Sequence, residues 1–264
     1  MAQLTAEQLA QIEAACEQCS TGFGQQRADA ERFVVGLRSA ENALDMAQFI
    51  IANSQSDNAR FHAAIMLKEA TLRDWHKIPS AQRNGIKVNL LQHVVQSGAL
   101  LKHFVRQPLL QVVAIMVKRG WFEEAPASFS EFLAYVQHLL ENPATRTVGA
   151  LMMRSLLEEF SSSNRSAVGL SWEFHNQCHH RFHAEGHLKM LFRLALTLLG
   201  GGLETLRAQS LQQEIDRLLS EAGECHWVGA CVDIVNQTLS WDFSDTSSTG
   251  SVAGLKSMSR FAEE

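Results

Sequence analysis

Residues 129–140, FSEFLAYVQHLL, decide how this chain folds. Phe129, Phe132, Leu133, Val136, Leu139 and Leu140 recur at i, i+3, i+4 and i+7, so their side chains share one face of an α-helix. Ser128 stands three residues before Glu131, the capping-box spacing that satisfies free amides at a helix start. Outward from this stretch the same period predicts helices over 4–19, 26–38, 42–54, 57–75, 80–97, 100–119, 128–141, 143–161, 173–183, 187–199, 203–222 and 225–241. No segment alternates with period two. The chain reads as all-α.

The joints support that reading. Asn142-Pro143 offers a cap residue and a proline in the first turn of the next helix, and Ser80 opens another after Pro79. Lys118-Arg119-Gly120 closes a helix, with positive charge at its carbonyl end and a glycine where the backbone turns. Helices open near Asp57, Leu100 and Pro143, 43 residues apart each time, and a second helix opens between them near Ser80 and Ser128. A helix pair at this period is the signature of a HEAT-type solenoid of stacked antiparallel pairs.

Helix 100–119 carries LLQVVAIMV at 109–117, apolar almost all round, and must be covered on several sides. Pro108 inside it removes one amide donor, a cost of ~3 kcal/mol unless a kink accommodates it. Past about residue 162 the period blurs, and SSSNRSAVG (161–169) reads as an inserted loop. The expected organisation is an N-terminal helix over 1–24, the HEAT array over 25–241 and a disordered tail over 242–264. That tail holds ten Ser, Thr or Gly in 23 residues and has too little apolar surface to offset its ordering entropy. With no polar capping helix before the tail, the expectation is a portion of a longer array.

Composition narrows the function. The 264 residues are 46% hydrophobic, ample for a core, and carry 23 Lys+Arg against 28 Asp+Glu. A net charge of -5 gives no bulk attraction to nucleic acid. Five cysteines, an odd number, do not suggest a disulfide framework and suit a reducing compartment. The run 109–117 is about half of what crosses a bilayer. The start, MAQLTAEQLAQIEAACEQC, is acidic and amphipathic, unlike a secretory signal. A soluble intracellular protein is expected.

Residues that could carry chemistry do not assemble an active site. His175, Cys178, His179, His180, His183 and His187 crowd thirteen residues, and His175, His179, His183 and His187 have the i, i+4 spacing that suits zinc. No HExxH is present, and Gly186 breaks the helix before His187, so a solvated linker helix is the expectation and no metal is assigned. Cys16 and Cys19 have CxxC spacing on a helix, without the strand or second pair that redox or zinc use requires. Gly200-Gly201-Gly202 lacks the Lys and Ser/Thr of a phosphate loop and reads as a helix stop. Ser161-Ser162-Ser163 has no GxSxG context, and Glu158-Glu159 has no partnering carboxylates. Lys68 interrupts the stripe Phe61, Ala64, Ile65, Leu72, Trp75 and should snorkel to water or a carbonyl. Activity by binding, with no enzyme chemistry and no cofactor, is the expectation.

The stretch from Arg27 to Trp75, RADAERFVVGLR, ALDMAQFIIANS and ARFHAAIMLKEATLRDW, resembles the N-terminal domain of the importin-β superfamily of nuclear transport receptors, over about 27–100. VKRGW (117–121), LLEEFSSSN (156–164), GLSWEFHNQC (169–178) and LSWDF (239–243) resemble exportin-4-like receptors, with exportin-7-type receptors second. The match runs in order over residues 25–243. The resemblance implies a HEAT solenoid that binds the GTPase Ran in its GTP state together with cargo, shuttles between nucleus and cytoplasm through the nuclear pore and its nucleoporins, and releases both when GTP is hydrolysed. It implies cargo of the hypusine-bearing translation factor or Smad-type regulator kind, and receptors several times this length. His175 and Cys178 match the motif, with no metal role to carry over.

In such receptors the second helix of each repeat faces Ran. A helical wheel leaves Asp45 and Gln48 outward on 42–54, Asn89, Gln92 and Gln96 on 80–97, and Glu131, Tyr135 and His138 on 128–141. These eight are the candidate Ran-binding residues, on a face expected to be polar and acidic with Tyr135 as its energetic anchor. A helical-repeat scaffold or adaptor without Ran binding is the alternative.

Overall fold

The computed structural model describes residues 4–161, 170–208 and 227–243. Among them are eleven α-helices and no strand: α1 (Ala6–Thr21), α2 (Gly24–Arg38), α3 (Ala43–Asn53), α4 (Asp57–Asp74), α5 (Ser80–Ser97), α6 (His103–Gly120), α7 (Pro126–Glu141), α8 (Arg146–Phe160), α9 (Trp172–Ala184), α10 (His187–Ala208) and α11 (Trp227–Leu239). The chain is an all-α helical-repeat protein. It divides into two compact units, residues 1–126 and 127–264, a boundary inside the single array that the sequence reading draws.

In the first unit α4 is the hub, packed against α1, α2, α3 and α6, while α5 packs on α6. Ala59, Ala63, Ala64 and Ala70 are buried on α4, and such small side chains let four helices approach it closely. The expected apolar stripe is therefore off-centre: Phe61, Ile65 and Leu72 are half-buried, and Ala63, Met66, Leu67 and Thr71 form the deep face beside Ala64. Thr5 and Gln8 form the capping box that starts α1. α1 then buries Ile12, Cys16 and Cys19, and its Glu13 accepts from the Ser54 hydroxyl (2.6 Å) while Glu17 accepts from Asn58 (2.7 Å). Lys68 is half-buried, and its ammonium donates to a carbonyl oxygen, that of the Gln111 side chain, at 3.4 Å.

First helices open at Asp57, His103 and Arg146, 46 and then 43 residues apart. The start of α6 moves from Leu100 to His103 because Gly98, at φ 49°, breaks the chain into a short 3-10 turn over Gly98–Leu100. Pro108 is tolerated inside α6. Every residue from Val112 to Trp121 is buried, as the all-round apolar pattern requires. Gly120 stays within the helix, and a Cβ there would sit 2.5 Å from the Glu124 carboxylate, which would have to shift. Asn142-Pro143 does not open α8. Asn142 Oδ1 accepts from the Ala144 amide and the Thr145 hydroxyl donates to the Leu139 carbonyl, so residues 142–145 form a turn. α7 likewise starts at Pro126, ahead of Ser128.

The C-terminal unit is built around α8, buried on nearly every side from Val148 to Phe160 and packed by α9, α10 and α11. Gly149 lets α8 meet α7, since a Cβ there would lie 2.8 Å from Leu140 Cδ2. Phe160 stacks on Phe182 at 4.6 Å, and Phe129 meets both edge-on. Gly200–Gly202 does not stop a helix. α10 runs through it to Ala208, and Gly202 makes room for the Trp227 ring, 2.6 Å from where its Cβ would stand. Of the expected helix 203–222, residues 209–222 lie outside the described residues, as do 162–169 of the inserted loop and 244–264 of the tail. The first two tail residues are held: the Asp242 carbonyl lies 2.8 Å from His179 Nε2, and the Phe243 ring meets His183.

Trp75 ties the first unit together. Its indole is fully buried, Arg83 lies 4.1 Å over one ring and Arg119 at 5.3 Å, and its N–H donates to both Glu123 oxygens at 3.0 Å. Arg83 also pairs with Glu123 and donates to the Ile78 carbonyl at 2.8 Å. Lys87 pairs with Glu124 at 2.8 Å. Burial pushes the Glu123 carboxyl upward in pKa, but its bonds from Trp75 and Arg83 outweigh that and hold it below its ordinary 4.5.

Trp75→Ala should cost about 3–5 kcal/mol in urea unfolding of the full chain, the range for a buried aromatic, and Trp75→Phe about 1–2 kcal/mol for the unmatched carboxylate. A cost below about 1 kcal/mol for Trp75→Ala would remove the ring from this role. Because Glu123 is acidified by folding, its contribution is present above the ordinary carboxylate range and is lost as pH falls through it. Glu123→Gln should therefore show a smaller drop in thermal midpoint than wild type between pH 5 and pH 3.

Candidate partner-binding face

Helices α3 and α5 flank a groove of about 490 Å³. Gln48 lines it from α3, and Asn89, Gln92 and Gln96 line it from α5, so four of the five candidates in the first unit share one surface. Their convergence follows from the helical period. Positions 89, 92 and 96 form one stripe of α5, and Arg83 and Lys87, fastened to Glu123 and Glu124, occupy the opposite stripe. Phe49 and Ile51 of α3 and Ile86 and Leu90 of α5 supply apolar lining. Gln48 is half-buried and donates to the Leu44 carbonyl at 3.1 Å, whereas Asn89, Gln92 and Gln96 are exposed.

Among the described residues no carboxylate, ammonium or guanidinium lines this groove. His93 does, and its Nε2 is buried without a hydrogen-bond partner. Burial first, and the nearby Arg60 charge second, lower its pKa below the ordinary 6.5, so the ring is neutral at neutral pH.

Asp45, the fifth candidate of this unit, lies in a different groove of about 530 Å³ with Glu41, Arg73, Asp74, Lys77 and Gln82. Part of the charge there is paired internally, through Asp74. Asp74 accepts from Lys77 Nζ and Arg73 Nε, both at 2.8 Å, and Lys77 foremost holds its carboxyl below the ordinary range. Arg73 also donates to the carbonyls of Arg38 and Ala40, fastening the end of α2 to α4. This unit thus has an amide-lined groove and a separate groove that carries Glu41, Asp45 and Asp74 with Arg73 and Lys77.

On α7 of the other unit, Glu131, Tyr135 and His138 are all exposed along one stripe, with Tyr135 at 39%. His138 Nδ1 lies 3.4 Å from Glu141.

The remaining sequence candidates are structural. Gly186 at φ 79° separates α9 from α10, so the histidines do not share a continuous helical face. The solvated linker helix expected there is corrected in part, because Cys178, His179 and Phe182 are buried. His179 is set between the carbonyls of Phe160 (3.2 Å) and Asp242 (2.8 Å) and stacks on Trp241 at 4.3 Å. Burial outweighs those bonds and lowers its pKa. His187 lies 3.1 Å from Glu185. Among the described residues no three His, Cys, Asp or Glu come together in a way that could hold a metal ion. Cys16 and Cys19 are core thiols, and burial pushes Cys16 up to about 12, far from a reactive thiolate. No described helix is long and apolar enough to cross a membrane.

Sequence reasoning missed Phe49 and His93 in the groove and the whole Trp75–Arg83–Glu123 cluster. The first two sit beside Gln48 and Gln92 in the chain and were within reach of the same helical wheel. The cluster had only a weak signal: Trp75 and VKRGW both stood out, with nothing to say that they meet.

The chain matches the Exportin-4 family model over residues 3–263. It is 20% identical over 251 residues to Exportin-4 of Dictyostelium discoideum, covering 90% of this chain and 22% of that protein. To human Ran-binding protein 17 it is 28% identical over 159 residues, 59% of this chain and 14% of the relative. To Exportin-7-B of Xenopus laevis it is 28% identical over 124 residues, 47% and 11% of the two chains. The chain thus spans about a fifth or less of the length of these relatives. With repeat architecture and extended similarity in agreement, the chain belongs to the exportin-4 family.

Proposed function

We propose that this chain acts as part of a nuclear transport receptor, binding Ran in its GTP state through the second helices of its repeats and contributing to export of protein cargo. The observation that carries the reading is the gathering of Gln48, Asn89, Gln92 and Gln96 on one groove of an exportin-family chain. A relative whose name is Ran-binding protein 17 supports the choice of partner. Glu131, Tyr135 and His138 offer a second exposed stripe on α7. Tyr135 is its natural anchor, an amphipathic ring with little rotamer entropy to lose. The role is recognition without bond chemistry, and sensitivity to the nucleotide comes from different affinities for the two forms of Ran. Under the same reading the protein shuttles between nucleus and cytoplasm, meets nucleoporins, and takes cargo such as a hypusine-bearing translation factor or a Smad-type regulator.

Titration of the full chain with Ran locked in its GTP or GDP form tests this. The GTP form should bind at least tenfold more tightly, and Tyr135→Ala should weaken it by about 1–2 kcal/mol, roughly 5–30-fold. Equal affinity for the two forms would remove the transport role. Binding of neither, with capture of an unrelated partner, would favour the helical-repeat scaffold.

A further inference from the structure

We infer that the α3–α5 groove recognises an uncharged, extended polypeptide segment of its partner, with Gln48, Asn89, Gln92 and Gln96 reading main-chain amide groups and Phe49 receiving an apolar side chain. The inference rests on the Ran-GTP reading for the identity of the partner and adds the chemistry of the contact.

Three observations carry it. The first is composition: four carboxamides and an apolar lining face the groove, and no ionised group does. A charged segment entering it would lose hydration with no ionised group among the lining residues to pair with, and that cost selects against it. The charged residues Glu41, Asp45, Arg73, Asp74 and Lys77 line a separate groove.

The second is the donor and acceptor inventory. Each carboxamide offers two N–H donors and a carbonyl acceptor, the same complement that peptide groups present. On α5 the stripe 89, 92, 96 sets successive Cβ atoms about 5–6 Å apart, close to the ~6.6 Å repeat of groups that face one way along an extended strand. A helical segment would have its main-chain groups occupied internally and offer nothing for the ladder to read. The third is His93, which lines the same groove and whose buried Nε2 has no hydrogen-bond partner among the described residues.

The test places either sign of charge in the ladder. Gln92 is exposed, so Gln92→Lys and Gln92→Glu should leave the melting temperature of the full chain within about 2 °C of wild type. Titrated with Ran locked in its GTP form, both variants should bind at least tenfold more weakly than wild type at 50 mM and at 500 mM salt, because neither charge finds a counterpart. Tighter binding by either variant would mean an oppositely charged partner surface and overturn the inference. Unchanged binding by both would take the groove out of the contact and overturn it as well. Absence of wild-type binding would be a different failure, striking the Ran reading and this one with it.

Discussion

A buried indole fastened on every side governs the first unit. Trp75 sits at the end of α4, yet the groups that hold it come from elsewhere: Arg83 from α5, Arg119 from α6, and Glu123 from the turn beyond α6. A helix pair in a repeat protein cannot bury its apolar surface alone and depends on its neighbour. Trp75 makes that dependence specific. Its ring fills volume between repeats, and Glu123 neutralises Arg83 while accepting the indole N–H. Lys87 and Glu124 repeat the tie one turn further along α5. These bonds span 37 to 48 residues of sequence, about one repeat, so they act on stacking rather than on any single helix.

The clamp also decides what α5 shows. With Arg83 and Lys87 drawn toward the turn after α6, and Leu90 and Val94 buried along the same side, the helix has no rotational freedom. Its opposite stripe must present Asn89, Gln92 and Gln96. The proposed recognition face is thus positioned by Arg83 and Lys87, whose pairs lie on the opposite stripe of α5. Gly120 belongs to the same device, because a side chain there would push the Glu124 carboxylate off Lys87.

Much of the fold and part of the face were legible in sequence, for one reason. Helical period is local, and it names both the inward residues, such as Leu133 and Val136, and the outward ones, such as Gln92. It therefore gave the all-α class and the four groove amides. It failed where a distant partner decides. Gly200–Gly202 looks like a stop until Trp227, from another helix, needs the space that Gly202 leaves. Asn142-Pro143 has the composition of a helix start, but tertiary hydrogen bonds to the end of α7 turn it into a loop. Asp45 and Gln48 are three residues apart on α3 and share a wheel face, yet different neighbours place them in separate grooves.

The histidine-rich stretch shows the same limit from the chemical side. Its spacing suits a metal, but spacing describes one helix, and the ring of His179 is claimed by carbonyls from two other parts of the chain. Once a ring nitrogen lies against a carbonyl in a buried, Trp-stacked site, releasing it to a metal would cost that bond and the packing around it. The groove presents the reverse case: Asn89, Gln92 and Gln96 are exposed, and the buried Nε2 of His93, a lining residue, has no partner among the described residues. Polar groups satisfied inside the fold hold the structure, whereas exposed amides bonded only to water can exchange that water for the groups of a partner.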